Sequence, residues 1–365
     1  MPTVADVTAA LDRFAPAPLA ADWDNTGLLL GDAAGPADQI LTCLTVTPDV
    51  VAEAVEGRVG LIVSHHPVLF RGVKRLTTGD PDGRLLLPLV RAGVAVFSPH
   101  TRLDNCPGGI NDGLCRRLGL TDTRPLRPKG GAKLCKLVVF TPETDLERVS
   151  EAVFAAGGGT IGNYDQCSYR VGGVGTFFPQ AGANPTVGQV GRRENAPELR
   201  LEVLVPEGRV AACVAAAVAA HSYEEPAIDV YPLAGIAHGG EGRVGELLAA
   251  VTLGELATRM KSELRASVMQ AVGDPAKPVR RVAVACGAAG EFLRDAETVG
   301  ADAFLTGEVR FHDALAAEAS GIGLLLPGHY ASERPGVEDL AGWLAGQFPL
   351  ATVWASRRER DPLRC

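Results

Sequence analysis

Seven histidines occur in the 365-residue chain, and five of them, His65, His66, His100, His312 and His329, lie where an apolar run ends or in the helix after it. Ser64-His65-His66-Pro67 follows directly on Leu61-Ile62-Val63. Adjacent residues of a regular strand face opposite sides, so neighbouring imidazoles do not readily chelate one ion; at a strand end each can reach a different one. The dipeptide alone is equally served by one exposed imidazole and one hydrogen-bonded within the fold. Ser98-Pro99-His100-Thr101-Arg102-Leu103-Asp104-Asn105 follows a second apolar run. Asp104 can bridge two cations and His100 can orient a ligand or exchange protons, whereas Asp104-Asn105 is also an ordinary turn signal. Gly328-His329-Tyr330-Ala331-Ser332-Glu333 follows a third run, Leu324 to Leu326. His329 and Glu333 are four apart and share one face if the helix begins early; otherwise Glu333 answers the helix dipole. Together the three segments offer His, His, Asp, His and Glu, a mixed imidazole and carboxylate set suited to zinc, iron, manganese or nickel.

Such residues need strand ends to stand on, because binding groups in open α/β sheets collect at the carboxyl ends of strands. The pattern of apolar runs predicts strands at Ile40 to Thr47, Gly60 to Ser64 and Val94 to Ser98, with helices from Pro48 to about Val55, from about Arg84 to Ala92 and near Ile110 to Leu118. The rhythm returns from about Arg280. Strands are expected at Arg281 to Ala285, Ala303 to Leu305, Gly323 to Leu326 and Ala351 to Ala355, and helices at Glu291 to Val299, Phe311 to Ala319 and about Arg334 to Gly346. Between these halves, a Gly/Pro/Lys-rich joint at Arg127 to Lys133 leads into two β-α-β passes. They consist of Leu134 to Phe140, a helix from Asp145 to Ala155, Leu199 to Val205, a helix from Gly208 to Ala220 and Ala227 to Leu233. A second joint closes them at Gly235 to Gly242. The fold class read from this is α/β: an outer domain of βαβ units from both chain ends, 1–128 and 238–365, with a central ferredoxin-like α+β insert domain at 129–237.

The composition excludes several functions. With 35 basic and 43 acidic residues the formal charge is −8, spread without long runs of one sign, which disfavours a nucleic-acid clamp. No apolar stretch approaches the roughly 20 residues that span a bilayer, and the early Asp6 and Asp12 do not fit a signal peptide. Eight cysteines are scattered with no C-x-x-C pair, so reduced thiols and a cytoplasmic location are expected.

Trp23-Asp24-Asn25-Thr26-Gly27-Leu28, Ser64-His65-His66-Pro67, His100-Thr101-Arg102-Leu103-Asp104, Thr306-Gly307-Glu308 and Gly328-His329-Tyr330-Ala331-Ser332-Glu333 resemble the Nif-three-like dinuclear metal-centre proteins, often described as type-two GTP cyclohydrolase homologues. The resemblance covers nearly the whole chain. It implies two divalent ions held by His65, His66, Asp104, His329 and Glu333. It also implies a central insert similar to PII or CutA-type trimeric domains, matched here by Gly162-Asn163-Tyr164 and His221-Ser222-Tyr223-Glu224-Glu225-Pro226-Ala227. Ring-shaped homohexamers with the metal sites facing an inner cavity are a further implication.

Other groups carry weaker signals. Glu308, at another strand end, can act as a general base, and His312 lies one turn further on or merely on a helix surface. Trp23-Asp24-Asn25 shapes a pocket or forms a packed turn. Cys286-Gly287-Ala288-Ala289-Gly290 can aim backbone N–H groups at a phosphate or form a plain tight turn. His221 and Tyr223 to Pro226 line a ligand site or end a helix. The leading expectation is a metal-dependent hydrolase acting on a nucleotide or another phosphorylated small molecule, with Glu308 or His100 managing the proton. Purine ring opening at C8 of GTP is suggested by the resemblance, and phosphoester hydrolysis is its nearest rival. The alternative from another class is a metal-binding scaffold or regulatory protein whose PII-like insert takes an effector.

Overall fold

Strands covered on both faces must be apolar along almost their whole length, and Leu61–Ser64 and Ala95–Ser98 are buried throughout. In the computed structural model, which describes residues 1–129, 134–233 and 239–363, these two strands are the middle of a five-stranded sheet. Its order is Gly27–Leu30, Ala95–Ser98, Leu61–Ser64, Gln39–Cys43, Thr352–Ala355. The last four run parallel, with Leu41 opposite Ile62 and Ile62 opposite Val96; Gly27–Leu30 is antiparallel at the edge.

A second sheet has the order Gln270–Val272, Gly323–Leu326, Ala303–Thr306, Pro278–Ala285, Gly239–Thr252, Leu120–Lys129. Its second, third and fourth strands are parallel and the flanking ones antiparallel. The helix His329–Gln347 connects Gly323–Leu326 of this sheet to Thr352–Ala355 of the first. Both sheets belong to one unit, Met1–Lys129 with Ala237–Cys365. Among the described residues no helix is long and apolar enough to cross a membrane.

Local chemistry explains most element ends. Thr47 caps the helix Pro48–Glu56, whose first residue is a proline that needs no N–H there. The helix Pro81–Ala92 stops at Gly93, which takes φ +69°. Two expected joints are strands instead. Gly239 to Gly242 open the long strand Gly239–Thr252, and Arg127 to Lys129 end Leu120–Lys129; the remainder of both joints, 130–133 and 235–238, lies outside the described residues. A Cβ on Gly240 would sit 2.5 Å from the Arg127 carbonyl oxygen, so glycine there admits the neighbouring strand rather than loosening the chain. Pro125 and Pro128 are tolerated because Leu120–Lys129 is an edge strand. The C-terminal helix also begins five residues earlier than the expected Arg334.

The smaller unit, Gly130–Ile236, has strands Leu134–Thr141, Ser168–Phe177, Glu194–Pro206 and Ile228–Pro232 and helices Leu146–Ala155 and Val210–Ala220. The sheet is antiparallel, in the order Ser168–Phe177, Glu194–Pro206, Leu134–Thr141, Ile228–Pro232. This is a β-α-β-β-α-β arrangement. Its core packs Leu137, Val139, Leu201 and Val203 against Val149, Val153 and Cys213 of the helices.

One buried cation holds the larger unit together near its future site. Arg243 is 3% exposed. It donates to the carbonyls of Gly240 and Gly242 at 2.8 Å, and to those of Asn105 and Cys106 at 3.2 and 3.0 Å, while pairing with Asp112. Replacing it by an apolar residue strands a carboxylate and four carbonyls. Arg243→Met is therefore expected to lower unfolding stability by about 3–5 kcal/mol, read by urea denaturation; a loss below about 1 kcal/mol would show that the network is dispensable.

Candidate metal centre

The parallel ladder of the first sheet continues two residues past the strand end. The His65 and His66 amides donate to the carbonyls of Cys43 and Leu44 at 2.9 and 2.8 Å, which fixes both backbones. His65, 1% exposed, has Nε2 3.6 Å from Asp104 Oδ1 and 3.8 Å from Glu333 Oε1. His66 Nε2 and His329 Nε2 each lie 3.1 Å from Glu333 Oε2. Ligand atoms of His65, His66 and His100 fall within 4.8 Å of one another, and so do those of His66, His329 and Glu333. The five residues expected to be ligands thus lie together, with His100 beside them. Asp104 lies outside those two triads, and its Oδ1 accepts from Cys286 Sγ at 3.1 Å.

A cation fits this arrangement. Both ring nitrogens of His65 are buried with no hydrogen-bond partner, although an imidazole always offers a donor or an acceptor at each. Two carboxylates face that ring at distances too long for hydrogen bonds. A donor set of imidazole nitrogens and carboxylate oxygens is one that divalent transition metals accept.

Each of the remaining imidazoles is held from behind. Thr45 Oγ1 lies 2.7 Å from His66 Nδ1, and Glu308 Oε1 lies 2.9 Å from His329 Nδ1. His100 Nδ1 donates to Asp24 Oδ1 at 2.6 Å, while the other Asp24 oxygen accepts from the Thr101 hydroxyl and amide. His100 itself has φ +37°, a backbone that few non-glycine residues adopt. Asp24 is the His100 partner that sequence reasoning misses, since the sequence reads Trp23-Asp24-Asn25 only as shaping a pocket or forming a packed turn. Trp23 does pack edge-on to the His100 ring, 5.9 Å between centroids.

Two amides of the Cys286-to-Gly290 loop are engaged within the protein: those of Cys286 and Gly287 are taken by Asn111 Oδ1 at 2.9 Å and Ser332 Oγ at 3.0 Å. Gly287, at φ +68°, passes so close to the centre that a Cβ there would lie 2.4 Å from Glu333 Oε1. His312 is exposed beside Phe311 and lies outside the cluster. His221, in the smaller unit, accepts the Tyr223 amide at Nδ1, so its Nε2 carries the proton and donates to the Phe140 carbonyl at 3.0 Å. The centre opens on two sides. A cavity of about 220 Å³ lies towards Trp23, His100 and Cys286, and one of about 710 Å³ towards Thr45, Glu308, Tyr330 and Arg360; His66 and His329 line both.

The electrostatics follow from packing acids and imidazoles together. Burial works against charge on Glu333, but His65, His329 and His66 hold it well below its ordinary pKa. Burial, reinforced by Glu333, pushes Asp104 up. Burial also pushes His66 down, whereas the Glu333 and Glu308 carboxylates raise His329 to about 9. In the metal-free protein at neutral pH, His329 therefore holds a proton that must leave before Nε2 can ligate. Divalent-ion affinity is expected to rise by about tenfold per pH unit per displaced proton between about pH 6.5 and 8.5. Competition with a chelator for zinc or manganese measures this, and a flat profile would contradict the assignment of His329.

Residues 2–362 match the family described as Duf34/NIF3 (NGG1p interacting factor 3). A protein of Halalkalibacterium halodurans named GTP cyclohydrolase 1 type 2 homolog is 38% identical over 355 residues, covering 96% of this chain and 95% of that protein. The Bacillus subtilis protein of the same name is 38% identical over 323 residues, with 88% and 87% coverage. Among solved structures, a Bacillus cereus protein related to NIF3 aligns with a TM-score of 0.73 at 33% identity, over 100% of this chain and 99% of that one. A Staphylococcus aureus protein aligns with a TM-score of 0.83 at 25% identity, with the same coverage. The chain belongs to the Duf34/NIF3 family.

Proposed function

We propose that the protein is a hydrolase working through two divalent ions, zinc, iron, manganese or nickel, held by His65, His66, Asp104, His329 and Glu333, and acting on a nucleotide or another phosphorylated small molecule. The observation that carries this reading is the buried, unpartnered His65 imidazole facing two carboxylates at 3.6 and 3.8 Å. The two Glu333 oxygens face different imidazoles, Oε1 towards His65 and Oε2 towards His66 and His329, which supports a count of two. When bound, such ions supply Lewis acidity and bring the pKa of water near neutrality.

The chain's own residues handle position and protons. Asp24 accepts the Nδ1 proton of His100, which leaves Nε2 as a proton acceptor. Glu308 holds His329 by Nδ1, and at 53% side-chain exposure it also meets solvent and substrate. The larger cavity has room for a nucleotide, and Arg360 in its wall offers a guanidinium to phosphate. The name shared by the relatives directs the first substrate choice to GTP, whose opening at C8 is hydrolytic. We further read 129–237 as a PII/CutA-like insert, which its β-α-β-β-α-β order supports, and the assembly as a ring-shaped homohexamer.

Elemental analysis of protein purified without chelator is expected to find about two metals per chain, with a clear loss in the His65→Ala, His329→Ala double variant. Metal retained by that variant would overturn the ligand assignment. Glu308→Gln is expected to keep the metal but lose about a hundredfold or more in turnover of GTP or of a phosphoester panel. Tight metal binding with no turnover across that panel would favour a scaffold over an enzyme.

A further inference from the structure

The smaller unit carries a cavity of about 390 Å³ that the proposed hydrolase has no use for. Its walls combine the rings of Phe140, Phe177, Phe178 and Tyr223 with the carboxylates of Glu198, Glu224 and Glu225, and no lysine, arginine or histidine lines it. Size and apolar lining are those of a small-molecule site, and the fixed charge has one sign.

The cavity is built rather than incidental. Glu198 is half-buried, and its carboxylate lies over Gly175 of the neighbouring strand, where a Cβ would come 2.2 Å from Oε2 and push the side chain aside. Among the described residues no cation pairs with Glu198. The loop forming one wall is tied to the other, since Glu224 Oε1 accepts from the Asn184 amide at 2.9 Å and Thr186 Oγ1 donates to the Ser222 carbonyl at 2.8 Å. Tyr223 is braced by a ring contact of 4.8 Å with His221. Its hydroxyl is sealed from solvent without a protein hydrogen bond of normal geometry. Burial and the nearby Glu198 push that phenol up to about 12, so it stays neutral and keeps its proton.

We infer that this cavity binds an organic cation, an ammonium group on a flat or aliphatic body. The body displaces water from the rings, the ammonium meets Glu198 in partly desolvated surroundings, and the ring faces add cation–π attraction. Three carboxylates with no basic residue among the lining groups disfavour phosphorylated or carboxylate effectors.

The test uses the full chain and three probes of one shape: phenethylammonium, neutral 2-phenylethanol and phenylacetate, titrated calorimetrically. Phenethylammonium is expected to bind about tenfold or more tightly than the alcohol, and phenylacetate not measurably. Glu198→Gln, checked for an unchanged melting temperature, should shrink the amine preference to within about twofold, and Gly175→Ala should do the same by displacing the carboxylate. Equal binding of amine and alcohol to the unaltered protein overturns the inference, as does an unchanged preference in folded Glu198→Gln. Absence of amine binding also overturns it, including the case in which sedimentation shows a second copy of the chain filling the cavity. The three-probe comparison on the unaltered protein decides the matter even if a variant fails to fold.

Discussion

Burying the Glu333 carboxylate at 4% exposure obliges its surroundings to supply positive charge or hydrogen-bond donors. Three imidazoles do so, and much of the larger unit is arranged around keeping them there. The second turn of His329–Gln347 sends successive side chains in different directions, about 100° apart. Glu333 faces the imidazoles. Arg334 instead pairs with Glu359 and donates to the Ser356 carbonyl at 2.7 Å. Glu359 accepts the amides of Leu44 and Thr45 at 2.9 and 2.6 Å, and Thr45 in turn reaches His66. The C-terminal segment is thereby clamped to the strand end behind His66, so residues far apart in sequence set a single imidazole.

The same demand explains why two sheets meet at their carboxyl ends. His65, His66 and Asp104 follow strands of the first sheet and His329 and Glu333 a strand of the second, so neither sheet alone assembles these five residues. Asn111 links the segments that follow strands of the two sheets: its side-chain amide donates to the Asp104 carbonyl at 3.0 Å and its oxygen accepts from the Cys286 amide. Arg243 adds a second tie at Asn105 and Cys106, immediately after Asp104. Close approach requires small residues at the seam. Gly336 of the C-terminal helix meets Ile110 so closely that a Cβ would lie 2.6 Å from its side chain.

How much of this was legible depended on whether the signal was local. The strand-end histidines were, because an apolar run followed by His65-His66 places them by connectivity alone. The helix Ile110–Leu118 occupies its expected span, since periodicity and the glycine after it agree. The C-terminal helix begins at His329, with Pro335 in its second turn, and not at about Arg334; this is the early start that lets His329 and Glu333 share one face. Ser168–Phe177 was missed because Gly172, Gly173 and Gly175 dilute its alternation. Asp24 was unreadable as a His100 partner for another reason: the two are 76 residues apart, and only the antiparallel pairing of Gly27–Leu30 with Ala95–Ser98 brings them together.

The four histidines of the centre are not equivalent, and the difference lies in the atom behind each ring. His66 backs onto a neutral hydroxyl, His329 and His100 onto carboxylates, and His65 onto nothing that accepts or donates. An oxygen at Nδ1 fixes both the ring plane and which nitrogen faces the centre. Three rings therefore present Nε2 in set directions before any ligand arrives. His65 is held instead by its amide bond to the Cys43 carbonyl and by packing against the surrounding rings, and of the four histidines it is the one whose ring nitrogens have no hydrogen-bond partner among the described residues. A buried polar group without a partner costs stability unless something binds it. Two buried nitrogens without a protein partner thus stand at the point where Asp104 and Glu333 both converge.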